Sequence, residues 1–129
     1  MASRRFTSLI AIVVASLFLT VHRLRAQDCC RADSDSVARA DKLLEQVGNE
    51  CDAGCPDYPA AWARVRKAVE LAPLNHDRLA WILQFAHFVN RPDSAVALAN
   101  LARQRWPNCA TSDSALVKAK ALPPPRRPH

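Results

Sequence analysis

"RPDSAVALANLARQRWP", Arg91 to Pro107, decides the fold, because "PDYPAAWARVRKAVELAP", Pro56 to Pro73, is a looser copy of it. Pro73 and Pro107 lie 34 residues apart. At the same offset Ala61 recurs as Ala95, Ala63 as Ala97 and Ala68 as Ala102, and Val65 falls on Ala99. Each phrase has a proline near its start and another at its end. Proline fits the first turn of a helix, where its missing amide hydrogen would have no partner, and a proline beyond the end stops the helix. Each phrase therefore predicts one helix, and small residues at Ala61, Ala68, Ala95 and Ala102 let two such helices approach closely.

Outward from this pair, the same reading gives about five helices and an all-α fold. Alanine, leucine and arginine, all good helix formers, dominate the chain after residue 26. The first helix is expected over Ser34–Val47, with Val37, Ala40, Leu44 and Val47 on one face and Gly48 as its stop. The second is expected over Pro59–Ala72, the third over His76–Val89 behind an Asn75 cap, the fourth over Pro92–Trp106 and the fifth over Ser112–Leu122. Short links make successive helices antiparallel neighbours, and no amphipathic helix hides its apolar stripe alone. The expectation is a stack of antiparallel helical hairpins, a short α-solenoid over residues 27–122. "PPPRRPH", residues 123–129, cannot continue a helix and reads as a disordered, solvated tail of polyproline character. Two readings of it stand, a frayed end or a ligand for a proline-recognising domain.

Residues 1–26 have the order of an export signal: basic "MASRR", then the uncharged run Phe6–Val21, then "HRLRA" ending in a small residue. At 16 residues the run is short for a membrane span, which needs roughly 20. Leu24 stands where a smaller residue is preferred, so an uncleaved anchor over residues 6–21 is the alternative to a secreted or periplasmic protein. The chain carries 18 basic and 12 acidic residues, net +6. Without the leader's Arg4, Arg5, Arg23 and Arg25 it has 14 basic against 12 acidic, net +2. That balance provides no dense basic face and argues against nucleic acid.

Five cysteines follow the leader: Cys29, Cys30, Cys51, Cys55 and Cys109. Exported cysteines tend to pair, and an odd number leaves one over. "CDAGC" predicts a local Cys51–Cys55 bridge, and Cys29 or Cys30 is expected to reach Cys109 at the same end of the stack. A metal would need two further ligands beside Cys51 and Cys55. His76 and Cys109 belong a helix length away, so no metal or cofactor is expected. His76 beside Asp77 has no serine placed near it, so no catalysis is expected either.

"DYPAAWARVRKAVELAPLN" and "RPDSAVALANLARQRWPN", with "RLAWILQFAHFV" between them, resemble the tetratricopeptide repeat family, whose units are helix–turn–helix pairs of 34 residues. The resemblance covers Asp57–Asn108, about one and a half units. It departs from the family in the long loop holding Cys51 and Cys55 and in a last unit of one helix. It implies that the third helix lines a groove for a peptide or protein partner. The groove side would carry Asp77, Ala80, Trp81, Gln84, His87 and Phe88, and the core side Leu79, Ile82, Leu83 and Ala86. The plainer alternative is that Trp81 and Phe88 pack on the first helix. Two functions remain: a binding module of the cell envelope or outside it, or a small disulfide-stabilised secreted factor that works through its odd cysteine.

Overall fold

Asp33 opens the first helix by accepting hydrogen bonds from the Ser36 amide (2.8 Å) and hydroxyl (3.1 Å), leaving fewer amide hydrogens of that turn without a partner. Asp57 caps the second by accepting from Ala60 N, and Asn75 caps the third by accepting from Arg78 N. The computed structural model describes residues 30–127. The proposed leader and Cys29 lie outside these residues. The helices are α1 (Ser34–Glu50), α2 (Tyr58–Leu71), α3 (His76–Phe88), α4 (Pro92–Arg105) and α5 (Ala110–Lys120). The described residues contain no β-strand, and the fold is all-α as the periodicity predicted.

The 34-residue period is present in the backbone. Tyr58 to Pro92, Leu71 to Arg105 and His76 to Ala110 each span that offset. The residues before α2 and α4 also match: Asp57 has φ −116°, ψ 74° and Arg91 has φ −131°, ψ 77°. Ala61 and Ala95, Val65 and Ala99, and Ala68 and Ala102 are all buried.

The ends of α2, α3 and α4 fall within one residue of the sequence expectation, α5 starts and ends two residues earlier than expected, and the end of α1 differs most. Gly48 does not stop α1, which runs on to Glu50. Glycine inside a helix costs about 1 kcal/mol relative to alanine. Three interactions beyond it hold the extra turn. Cys51 is buried and its amide bonds to Val47 O, the Cys51–Cys55 disulfide ties the end down, and Glu50 forms an ion pair with Arg64 of α2. Gly54, at φ 109°, supplies the left-handed residue that turns the chain back within this small ring.

α1 packs on α2, α4 on α2 and α3, and α5 mainly on α4 with a smaller contact to α3. Val47, Val65, Val69, Ile82 and Leu98 are almost fully withdrawn from water, each burial contributing about 1.5–3 kcal/mol. Two polar bonds fix the register of α2 against the following unit. Tyr58 and Ser94 share a hydroxyl hydrogen bond of 2.8 Å, and buried Trp106 donates from Nε1 to Val69 O at 2.9 Å. The terminal helix α5 buries only the small residues Ser112, Ala115 and Ala119.

Cys30 is bonded to Cys109 and Cys51 to Cys55, the local pair and one of the two long-range pairs expected. Two disulfides fit an oxidising compartment. Among the described residues no helix is long and apolar enough to cross a membrane.

Candidate functional site

α3 is tied to α1 by Arg78, in its first turn, which donates to both oxygens of Asp41 midway along α1, at 2.9 and 3.3 Å, and to Pro73 O. Towards their C-terminal ends the two helices border an open cleft of about 570 Å³. α1 and its following loop contribute Val47, Gly48, Cys51 and Asp52; α3 contributes Trp81, Gln84, Phe85, His87 and Phe88. Gly48 presents no side chain, so the cleft wall is backbone at that position.

Helical geometry explains the grouping. Trp81, Phe85 and Phe88 follow at spacings of four and three, so they share one face of α3. Trp81 stacks on Phe85 with ring centroids 5.4 Å apart, and Phe85 stacks in turn on Tyr58 at 6.4 Å. Phe85 is buried, which fixes the plane on which half-buried Trp81 rests. Tyr58 is itself held by the Ser94 bond and by the Arg91 guanidinium 4.1 Å over its ring. The aromatic row is thus anchored to α2 and α4 from behind, and its cleft end is left accessible. Phe88 is 50 % exposed, one of two large apolar side chains so exposed among the described residues.

Of the residues the sequence pointed to, Trp81, Gln84, His87 and Phe88 come together on this cleft. Asp77 does not. It is exposed in the first turn of α3, ten residues before His87 and so about 15 Å away along the axis. Leu79, Ile82 and Ala86 are buried as expected of a core side, and Leu83 is half-buried. Sequence reasoning missed Phe85 as the inner member of the aromatic row. It also missed the α1 wall, because Gly48 read as a helix stop. Arg126 of the tail completes the lining, and nothing in the local sequence of the tail signals that placement.

The chemistry of this cleft is that of contact. It joins apolar rings with an amide (Gln84) and an imidazole (His87), and has Asp52 and Arg126 on its rim. No group of three metal-ligating side chains occurs among the described residues. Comparison with protein-family models, with curated proteins and with solved structures gives no match.

Proposed function

We propose that this protein is an exported, non-enzymatic binding module built on tetratricopeptide-like repeats, and that it holds a peptide or protein segment in the α1/α3 cleft. The observation that carries this reading is that half-exposed Phe88 and Trp81 line one cleft, with Trp81 stacked on rings anchored from behind. Rigid aromatic surface that keeps its shape when free gives contact area at little entropic cost, and aromatic residues dominate binding energy at interfaces. The 34-residue repeat of helix bounds supports the family resemblance, and the disulfides support export.

The test is a displayed library of linear peptides selected against the oxidised protein. Selected peptides are then titrated against Trp81→Ala and Phe88→Asp. Removal of a central aromatic anchor is expected to weaken binding by at least about tenfold. Phe88→Asp should leave the melting temperature nearly unchanged, because the side chain is half in water. Peptides that bind both variants as well as the native protein refute the cleft.

A second reading rests on the pairing of Cys30, Cys51, Cys55 and Cys109, which leaves Cys29 as the fifth cysteine. A secreted factor acting through a Cys29 thiol loses function on Cys29→Ser, whereas a cleft binder does not.

A further inference from the structure

The segment after α5 displays the chemistry that its neighbouring surface accepts. Pro123, Pro124 and Pro125 have no amide hydrogen and a fixed φ, so they run extended from Leu122. They carry Arg126 to the turn between α3 and α4. There the Asn90 side chain reads the Arg126 backbone on both sides: Nδ2 donates to Arg126 O at 2.9 Å, and Oδ1 accepts from Arg126 N at 2.6 Å. The Arg126 guanidinium donates to His87 O at 3.0 Å, a carbonyl at the end of α3.

Asn90 can do this because of its backbone. Its φ is 58°, left-handed, within a closing turn in which Asn90 N bonds to His87 O and Arg91 N to Ala86 O. Asparagine tolerates that conformation and still offers a donor and an acceptor. Pro123 and Pro124 border a narrow crevice with Ala86 and Pro92 alongside. Arg126 also stands on the lining of the α1/α3 cleft, next to His87 and Phe88. The Asn90 latch and the aromatic cleft are therefore one continuous track over the end of α3.

We propose that this track docks an extended, proline-rich segment of a partner that carries an arginine in the Arg126 position, and that the chain's own tail is its internal stand-in. The proposal rests on the cleft reading above. A partner segment exchanges like for like at the latch, remaking the three hydrogen bonds on Asn90 and His87. It then runs on across Phe88 and Trp81, which the described tail leaves open. The net drive comes from those rings. A tethered tail competes at an effective concentration on the order of millimolar, so it sets a threshold for docking.

The probe is a fluorescein-labelled synthetic peptide, LPPPRRPPLPPL, followed by fluorescence polarisation against the oxidised full chain. Arg126→Pro deletes the tail's amide hydrogen and its guanidinium together. It is expected to bind the probe about fivefold to tenfold tighter than the native protein, because two of three latch hydrogen bonds of the competitor are gone. In that background Asn90→Gly keeps the left-handed turn and removes the amide, and probe affinity should fall about tenfold. A probe with both arginines replaced by alanine should bind more weakly as well. Far-UV circular dichroism and melting curves identify any variant that fails to fold. Equal probe affinity in native and Arg126→Pro proteins overturns the proposal, as does indifference to Asn90→Gly. If library peptides still depend on Trp81 and Phe88 while this probe fails, only the proline-track inference falls. If neither binds, the peptide-binding reading falls with it.

Discussion

The Cys30–Cys109 disulfide should hold more of the fold than Cys51–Cys55, and the difference can be worked from loop lengths. The bonded residues are separated by 79 positions in the first pair and 4 in the second. In the chain-entropy description, closing the long loop removes freedom from the unfolded chain worth about 4.5 kcal/mol at 25 °C, and closing the short loop about 1.9 kcal/mol. The long bridge also joins the start of the described fold to the N-terminus of α5, the helix with the smallest buried side chains. Little apolar area there compensates for its loss. The perturbation is Cys109→Ala, chosen over Cys30→Ser because Cys29 stands next to Cys30 and can replace it as a partner. Cys55→Ser breaks the short bridge. Urea unfolding followed by circular dichroism, without reductant, should place Cys109→Ala about 2.6 kcal/mol below Cys55→Ser, the difference of the two loop terms. In thermal scans the gap should be at least about 10 °C for a domain of this size. Equal stability of the two variants refutes the entropic argument and means that α5 is held by packing alone.

Two further outcomes test the packing and the helix start. Trp106→Phe leaves buried Val69 O without its Nε1 donor and also removes part of a buried ring, and should cost at least about 1–3 kcal/mol in urea unfolding; a change within experimental error would show that water or a shifted backbone satisfies that carbonyl. The Asp33 carboxyl is held below its ordinary pKa, first by the Ser36 amide and then by the Ser36 hydroxyl. A depressed folded pKa means that its contribution is complete above the unfolded carboxylate pKa and disappears as pH falls through the folded value. Asp33→Asn keeps an accepting oxygen and should flatten that acid limb of the stability–pH curve; an unchanged limb assigns the acid sensitivity elsewhere.

The sequence by itself determined the elements and their period. Proline at both ends of two alanine-rich runs leaves few alternatives to helices that start and stop there, and the 34-residue offset of Pro73 and Pro107 reappears in the bounds of α2 and α4. The cap at Asn75 was legible for the same reason: capping is a bond across three residues, so local sequence contains both partners. The α3 aromatics were legible as a face, because helical spacing is also local.

Tertiary structure alone decided which part of that face is a site. Phe85 and Trp81 are chemically similar neighbours on α3 and both line the cleft, yet Phe85 is buried against Tyr58 whereas Trp81 is only half-buried. The choice depends on where α2 stands, and no pattern within α3 encodes it. The extension of α1 past Gly48 was hidden likewise. A glycine that local propensity reads as a stop is overridden by a buried cysteine, a disulfide and an ion pair formed with residues beyond the helix. Arg126 shows the limit most clearly. Its place on the cleft depends on an asparagine 36 residues earlier, held left-handed by the turn between α3 and α4, and such a contact exists only once the hairpins have stacked.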